Sequence, residues 1–399
     1  MAIHIQPLRG WHFDKVSTKF VIISKVWTPA KLQSAMTFKE LNLTQNPFEL
    51  MSPSLAFQSE APVFWAGMKT QKKQLENTYL NAARHRNLIL NWGPFGAGKT
   101  HAAFYFKNQP ILKPNVELIT LYVRTPLENG DAIQQLLENI IDDLSFTKLK
   151  EIVKARITEL GESQLFNLIS ASIKSEAYAL AIMKLGHSEL KLDDFMYRYI
   201  YGNVTRTELK KFQLPRALNT EADYLKFLAG LIACFTASKT LTRVVLWIDE
   251  LENLLYYTSR QFKRLTQGIK TLVDSYDNLL VFLNYTLSDG DEERLRILIG
   301  DIIMDRLSHK ICFTDLSLEK GLEYCHELIT HYQIDKSKGY FPFEEDSLTA
   351  LLNSLQTRSL TPYEINKKCS DILYYSLETQ VNHITQEQVF KWLRYQLSV

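Results

Sequence analysis

Two patterns of apolar and polar positions alternate along this chain and predict its core. Four short runs that are mostly apolar are typical of strands buried on both faces of a sheet. They cover residues 87–92, 116–123, 243–248 and 279–286. Apolar residues spaced three and four positions apart predict helices at 68–86, 131–144 and 261–276. Strands and helices that alternate in this order predict a parallel α/β sheet.

Other predicted helices fall into one long insertion and one C-terminal region. Residues 148–238 have helical periodicity almost throughout, with capping-box spacing at Thr205 and Glu208. A single helix is predicted at 294–307, and the chain is helical again from about residue 316. We therefore expect an N-terminal arm (1–60, with a strand at 20–27), an ATPase core (61–147 and 239–310), a helical insertion (148–238) and a small C-terminal helical lid (311–399).

Composition narrows the class of protein without identifying its ligand. The chain has 399 residues, 46% of them hydrophobic and 23% charged, which is ordinary for a globular protein with several lobes. Its net charge of +2 gives no global attraction to nucleic acid, so such a site would be a local patch. The four cysteines contain no C-x-x-C pair, which argues against structural zinc and suits a reducing compartment. With no predicted signal peptide or membrane span, we expect a cytoplasmic protein.

The segment between the first strand and the next helix carries the strongest chemical signal. Gly93, Gly98, Lys99 and Thr100 fit the pattern G-x-x-x-x-G-K-[ST] in the strand–loop–helix context that a phosphate-binding loop requires. Glycines let backbone N–H groups turn toward an anion, and the helix N-terminus adds positive charge. We expect Lys99 to contact the β- and γ-phosphates of ATP and Thr100 to bind Mg²⁺. The predicted nucleotide-binding residues are Gly93, Pro94, Phe95, Gly96, Ala97, Gly98, Lys99, Thr100 and His101.

A second signal comes from acidic and amide side chains near the ends of later strands. Asp249 and Glu250 follow the third apolar run, and Asn284 lies near the end of the fourth. Ligand sites of open α/β sheets lie at the carboxyl ends of the strands, which would bring these residues beside the phosphate loop. We expect Asp249 to hold Mg²⁺, Glu250 to act as general base and Asn284 to orient the attacking water. The alternatives are acids that cap the next helix and an ordinary strand-end asparagine. Glu252, two residues after Glu250, is interpreted as a solvated helix charge, and an acid that supports the site from behind is the open alternative.

Together these motifs resemble those of the AAA+ ATPases over about residues 60–399. Residues 93–100 resemble a Walker A motif, 244–250 a Walker B motif, and Asn284 stands at the sensor-1 position. The most similar variety is that of the origin-recognition initiators and the Tn7-type transposition regulators. The insertion also resembles the P-loop ATPases of BREX-like bacterial defence loci. The resemblance implies Mg²⁺-dependent ATP hydrolysis, a homo-oligomer formed through the AAA+ interface, and a protein partner.

The resemblance also assigns roles to residues at two helix ends. Arg306 lies where the family often has an arginine at the subunit boundary, which implies a catalytic role in a neighbouring subunit's site. A surface arginine at a helix end is the open alternative. A sensor-2 arginine would be expected at about 361–366, where Tyr363 stands instead and Arg358 is the nearest substitute. This departure weakens the expected coupling between the lid and the γ-phosphate.

Two functions stay open at this point. The first is an ATP-hydrolysing regulator that assembles with ATP and controls a partner in transposition, replication or defence, with duplex DNA held by a local basic cluster. The candidate clusters are Lys69, Lys72, Lys73, Arg84 and Arg86, and Arg206, Lys210, Lys211 and Arg216. The second is a nucleotide-gated protein-interaction switch that hydrolyses slowly and binds no DNA. The chain lacks an Asn-Lys-x-Asp motif, which argues against a GTPase.

Overall fold

The computed structural model describes residues 36–49, 63–81, 87–108, 116–126, 131–187, 189–287, 292–355 and 360–398. The strand predicted at 20–27 and the predictions for Arg84, Arg86 and Arg358 lie outside the described residues. Those residues form an α/β fold with a parallel sheet, a helical insertion and a helical C-terminal lobe. The fold class predicted from the sequence is therefore confirmed.

Among the described residues, five parallel strands form the sheet and bring their C-terminal ends to one rim. They are β1 (Leu88–Gly93), β2 (Val116–Arg124), β3 (Leu241–Asp249), β4 (Leu279–Thr286) and β5 (His309–Cys312). Their spatial order is β2-β3-β4-β1-β5. The register aligns Arg124 with Asp249 between β2 and β3, and Asn91 with Asn284 between β1 and β4. Side chains that are far apart in sequence therefore become neighbours around the end of β1.

In the part of the chain that the structure describes, two helices and an aromatic layer cover one face of the sheet. The helices are α1 (Lys69–Asn81) and α2 (Lys99–Asn108). Trp247 and Phe282 stack on each other with ring centroids 4.1 Å apart, and Tyr79 stacks on Phe106 at 4.8 Å. The Trp247 Nε1–H donates to the Tyr79 hydroxyl at 2.8 Å, which satisfies a buried donor inside this layer. The layer holds α2, and with it the loop before α2, against the sheet.

The opposite face of the sheet is covered by the helical regions that follow β2 and β3, whose helices pack partly on the strands and partly on one another. They are α3 (Ala132–Leu144), α4 (Phe146–Leu160), α5 (Glu162–Ile173), α6 (Glu176–Leu185), α7 (Leu190–Ile200), α8 (Arg206–Lys211), α9 (Glu221–Thr236) and α10 (Ser259–Ser275). Their buried side chains are continuous with the sheet core, so the insertion extends that core. The capping box predicted at Thr205 and Glu208 begins α8. Among the described residues no helix is long and apolar enough to cross a bilayer.

The region after β4 differs from the single helix predicted at 294–307. It contains α11 (Glu292–Ile299) and α12 (Asp301–Met304), which are separated by Gly300. Gly300 has a φ of 83°, a left-handed conformation that glycine adopts without steric cost. The apolar spacing continues across this break, which is why the pattern predicts one helix. The sequence analysis also does not predict β5, because that strand has four residues and half of them are exposed.

The C-terminal lobe has a hydrophobic core of its own. Its helices are α13 (Leu318–Tyr332), α14 (Glu345–Leu355), α15 (Pro362–Glu378) and α16 (Gln386–Ser398). The segment 36–49 packs on this lobe, with Leu41, Leu43 and Phe48 buried in its core. The Thr44 N–H donates to the Tyr332 carbonyl at 2.8 Å. The described end of the N-terminal arm is therefore anchored on the C-terminal lobe.

Candidate nucleotide-binding site

The glycine-rich loop lies between β1 and α2, as the sequence pattern predicts. Gly96 and Gly98 have φ values of 76° and 98°, in the backbone region that favours glycine. Lys99 begins α2, and its Nζ donates to the carbonyl oxygens of Gly93 at 2.8 Å and Pro94 at 2.9 Å. The lysine is folded back over the loop and is only 6% exposed. A positive charge is thereby kept inside the loop, where it can attract an anionic ligand.

Burial changes the acid–base behaviour of Lys99. It disfavours the ammonium form and lowers the pKa of Lys99 to about 8, although the carboxylates of Asp249 and Glu252 oppose that change. Lys99 is therefore mostly protonated at neutral pH, and little water is available to solvate it. A phosphate group in the loop would supply the negative charge and the acceptors that water does not.

Asp249 is the acceptor at the centre of the site and is 4% exposed. Its Oδ2 accepts hydrogen bonds from the Thr100 hydroxyl at 2.7 Å and the Tyr122 hydroxyl at 2.6 Å. Its Oδ1 accepts the backbone N–H of Glu250 at 3.0 Å. The Thr125 N–H and hydroxyl each donate to the Asp249 carbonyl oxygen at 2.8 Å. The structure thus brings Thr100 and Asp249 together, and their role as Mg²⁺ ligands stays a prediction.

Glu250 leaves β3 in a left-handed conformation, with φ 56° and ψ 42°, which is uncommon for a residue other than glycine. It makes no side-chain capping bond to the 3₁₀ helix that follows (Leu251–Tyr256), so the alternative of a helix-capping acid has no support. Its Oε1 lies 3.6 Å from the Arg124 Nε at the end of β2. Partial burial raises the pKa of Glu250, and Arg124 opposes that rise. A carboxylate with these properties suits a general base.

Asn284 lies beneath the phosphate loop and is fully buried. Its Oδ1 accepts a hydrogen bond from the Asn91 Nδ2 at 3.0 Å, and its own Nδ2 donates to the Lys99 carbonyl at 3.3 Å. These bonds tie the middle strands of the sheet to the first turn of α2. Its predicted role in orienting water stays a prediction. The second Nδ2 hydrogen and the second Oδ1 lone pair are the groups that would hold the water.

Three more side chains at this rim matter to the site. Tyr122 and Arg124 lie on β2, and the sequence analysis assigns neither a role because a single sequence does not reveal that β2 neighbours β3. Glu252 is interpreted above as a solvated charge, but its Oε2 accepts the backbone N–H of Thr286 at 3.1 Å. Glu252 also favours the charged form of Lys99. These contacts favour the alternative left open for Glu252, an acid that supports the site from behind.

The side chains of Phe95 and His101, both predicted to bind nucleotide, contact other parts of the chain. The His101 Nε2 donates to the Phe64 carbonyl at 3.0 Å, and its ring lies 5.9 Å from that of Trp65. The Phe95 ring meets the Tyr363 ring edge-on, with centroids 5.3 Å apart. A nucleotide contact from either residue would therefore come from its backbone N–H, which is the group a phosphate loop uses.

The C-terminal lobe reaches the phosphate loop through the first turn of α15. Thr361 caps this helix and accepts the Glu364 N–H at 3.3 Å, and the Tyr363 N–H donates to the Gly96 carbonyl at 3.2 Å. A Cβ atom on Gly96 would lie 2.5 Å from the Tyr363 Cβ, so only glycine fits at this approach. The residue at the expected sensor-2 position therefore touches the loop itself.

The basic residues singled out from the sequence differ in whether they form ion pairs, contact an aromatic ring or are exposed. Arg306 pairs with Asp274 at 3.3 Å, and its role in a neighbouring subunit stays a prediction. Lys69 pairs with Glu323 and Glu327.

In the same first cluster, Lys72 lies 4.8 Å from the centroid of the Tyr105 ring. In the second cluster, Arg216 pairs with Asp223 at 3.1 Å. The other members of that cluster, Arg206, Lys210 and Lys211, are exposed on α8.

No protein-family model and no curated protein matches this chain. It is similar to the solved structure of Drosophila ORC bound to DNA, with a TM-score of 0.48 and 11% identity over 98% of this chain and 71% of that one. It is also similar to the Aeropyrum pernix ORC1 protein in complex with DNA, with a TM-score of 0.42 and 10% identity over 87% and 71%. The Thermotoga maritima RuvB Holliday junction branch migration motor has a TM-score of 0.40 and 11% identity over 85% and 73%. At these identities the similarity is one of fold alone.

Proposed function

We propose that this chain is a Mg²⁺-dependent ATPase of the AAA+ type. The observation that carries the proposal is the 2.7 Å hydrogen bond between Thr100, at the end of the phosphate loop, and Asp249, at the end of β3. In P-loop ATPases this hydroxyl and a strand-end carboxylate hold one Mg²⁺ ion. Lys99 keeps its charge inside the same loop. A glycine-rich turn without a ligand would need neither feature.

The proposed reaction is the attack of water on the γ-phosphorus of ATP. The bond from that phosphorus to the β–γ bridging oxygen breaks, and the products are ADP and inorganic phosphate. Glu250 takes the proton of the attacking water as general base. Lys99 and the N–H groups of the loop stabilise the charge on the β- and γ-phosphate oxygens. Partial burial raises the pKa of Glu250 and Arg124 opposes that rise, so both affect how readily Glu250 loses its proton.

The oxygen atoms at the end of the loop fit Mg²⁺, which prefers oxygen ligands. The Thr100 hydroxyl and the Asp249 carboxylate are the groups that would hold the ion, directly or through water. When bound, Mg²⁺ supplies charge neutralisation at the phosphate oxygens. Tyr122 donates to the same Asp249 oxygen as Thr100 and would orient that carboxylate.

We further propose a regulator that assembles with ATP and controls a partner. Its parts are the arm (1–60), the core (61–147 and 239–310), the insertion (148–238) and the lid (311–399). The arm and the insertion are the surfaces proposed for a protein partner. Exposed Arg206, Lys210 and Lys211 on α8 support duplex DNA as a second ligand, since phosphate contacts require only accessible cations.

A second candidate is a nucleotide-gated protein-interaction switch that hydrolyses ATP slowly and binds no DNA. It is favoured by Tyr363, a neutral side chain at the expected sensor-2 position. Lys69 favours it too, because its ion pairs with Glu323 and Glu327 reduce the charge that the first basic cluster can offer to DNA.

The test of the ATPase is the turnover rate of the purified chain with and without Mg²⁺. Lys99→Ala should lose nucleotide binding, and retained ATP affinity would overturn the site. Glu250→Gln should bind ATP without hydrolysing it, and turnover at the unsubstituted rate would exclude Glu250 as the base.

The same rate, measured with duplex DNA across a salt series, separates the two candidate functions. Stimulation that fades with salt, and that is lost when Arg206, Lys210 and Lys211 are changed to glutamate, supports the regulator. Low turnover that is indifferent to DNA supports the switch. The matched control changes three lysines outside the two clusters, Lys148, Lys154 and Lys174, to glutamate.

A further inference from the structure

The contact between the phosphate loop and α15 combines a backbone hydrogen bond with an aromatic contact. The Tyr363 N–H donates to the Gly96 carbonyl at 3.2 Å, and its ring meets the Phe95 ring with an angle of 67° between the planes. A Cβ on Gly96 would lie 3.1 Å from the Thr361 Oγ1 as well as 2.5 Å from the Tyr363 Cβ. Several atoms of the loop and of the first turn of this helix are therefore in close contact.

The backbone bond restricts the loop, because a peptide unit is planar and its C=O and N–H point to opposite sides. With the Gly96 carbonyl directed at α15, the N–H of Ala97 is directed to the other side, where it donates to the Pro94 carbonyl at 3.3 Å. The same Pro94 carbonyl accepts from the Lys99 Nζ. The helix therefore helps to fix the peptide units and the lysine that a phosphate group would meet.

The aromatic contact restricts the tip of the loop. Phe95 is 69% exposed, so few of its atoms are held by the loop itself. An edge-to-face aromatic pair changes an equilibrium by about two- to tenfold beyond the effect of buried area. That is large enough to affect the affinity of a ligand bound by the same loop.

We propose that Tyr363 is a positioning residue for the bound nucleotide, which couples the phosphate loop to α15 through Gly96 and Phe95 without a charged side chain. This proposal rests on nucleotide binding by the loop, as proposed above. By reciprocity, nucleotide binding and the docking of α15 on the loop stabilise each other by the same factor. The position of the C-terminal lobe then depends on whether the loop is occupied.

The experiment measures equilibrium binding of ADP and of ATP with Mg²⁺, together with kcat and KM, for the full chain. Tyr363→Ala should weaken binding and raise KM about three- to tenfold, because the ring contact is lost. Its kcat should change less than twofold, since Tyr363 acts on the loop and not on the reacting water. Tyr363→Phe keeps the ring and the N–H and should restore affinity to within twofold of the unsubstituted chain.

Two comparisons separate this coupling from a general loss of packing. Tyr374→Ala is the matched control, because Tyr374 lies on the same helix and meets Phe38 edge-on at 5.7 Å. It should leave nucleotide affinity within twofold. Phe95→Ala should weaken binding as Tyr363→Ala does, and the double variant should bind no more weakly than either single variant. Effects that simply multiply would overturn the coupling.

Amide hydrogen exchange over residues 361–368 provides the readout that a purely structural role would not change. Saturating ADP should slow exchange there in the unsubstituted chain and in Tyr363→Phe. It should slow exchange less in Tyr363→Ala, which keeps the N–H bond to the Gly96 carbonyl but loses the ring contact. Unchanged exchange in the unsubstituted chain, or affinity within twofold for Tyr363→Ala, would overturn the proposal. A chain that binds no nucleotide would overturn both proposals, whereas Lys99-dependent binding that ignores Tyr363 would overturn this one alone.

Discussion

At the residue scale, the site depends on buried polar side chains that already have hydrogen-bond partners. Asp249 accepts from Thr100, Tyr122 and the Glu250 N–H, so its carboxylate has one orientation before any ligand arrives. Lys99 is nearly buried as well, and its hydrogen bonds go to the loop that surrounds it. Pre-oriented groups of this kind need little rearrangement at the moment of reaction, which is where an enzyme gains most from electrostatics.

The lowered pKa of Lys99 predicts that nucleotide binding depends on pH in the alkaline range. Phosphate binds the ammonium form, and that form is lost as pH rises through about 8. The association constant for ATP should therefore be level near neutral pH and fall by about tenfold per pH unit well above pH 8. Isothermal titration from pH 7 to 9.5 measures this directly. Lys99→Arg stays charged over this range and should remove the slope; a flat profile for the unsubstituted chain would contradict the prediction.

The pairing of Arg124 with Glu250 predicts a shift in the pH dependence of turnover. Arg124 lowers the pKa of Glu250 against the effect of burial, so Arg124→Ala should raise that pKa. The unprotonated base then forms only at higher pH, and the acidic limb of the kcat profile should move to higher pH. Arg124→Lys keeps the charge and should leave the limb closer to its original position. An unmoved limb in Arg124→Ala would show that the two side chains do not interact in the working enzyme.

At the element scale, the local pattern of apolar residues predicts much of the secondary structure. It does not predict which strands are neighbours in the sheet. The apolar runs of β1 to β4 predict buried strands, and Asp249 falls at the end of β3 as expected. That β2 lies beside β3 is a long-range fact that no local spacing encodes, and it brings Tyr122 to Asp249. The sequence pattern also does not predict the break between α11 and α12 at Gly300, because the spacing of apolar residues does not change there.

The position of β2 beside β3 predicts a role for Tyr122 in metal binding. Tyr122→Phe removes the hydroxyl that donates to the Asp249 Oδ2 and leaves the ring in place. Loss of a partner behind a metal ligand should raise the Mg²⁺ concentration for half-maximal turnover by about tenfold. The matched control is Tyr79→Phe, which removes another buried tyrosine hydroxyl, the one that accepts from Trp247. Equal Mg²⁺ dependence in Tyr122→Phe and the unsubstituted chain would refute the role.

At the scale of the whole molecule, the phosphate loop lies where the core and the C-terminal lobe meet. The chain leaving β5 passes close to the start of the loop, since a Cβ on Gly93 would lie 2.0 Å from the Phe313 carbonyl oxygen. Further on, the Leu316 N–H donates to the Leu360 carbonyl at 2.9 Å, next to the first turn of α15. The lobe therefore holds the loop both where the lobe begins and at Tyr363.

If the chain forms the proposed oligomer, mixtures of variant subunits can test whether Arg306 acts in a neighbour's site. If Arg306 acts in a neighbour's site, Arg306→Ala and Glu250→Gln should each lose turnover, but for different reasons. In a mixed assembly, a Glu250→Gln subunit, which still binds ATP, offers its Arg306 to the intact site of an Arg306→Ala neighbour. An equimolar mixture in a head-to-tail ring should then recover up to about a quarter of the unsubstituted rate.

The control mixture combines Lys99→Ala with Glu250→Gln, two changes that act within one subunit's site. A Glu250→Gln subunit lacks its base whichever neighbour it has, so this mixture should stay inactive. Recovery in the first mixture alone would assign Arg306 to the neighbouring site. If the first mixture stays inactive while size-exclusion chromatography shows that mixed assemblies form, the role in trans is wrong. Arg306 is then a surface arginine whose partner is Asp274 of its own chain.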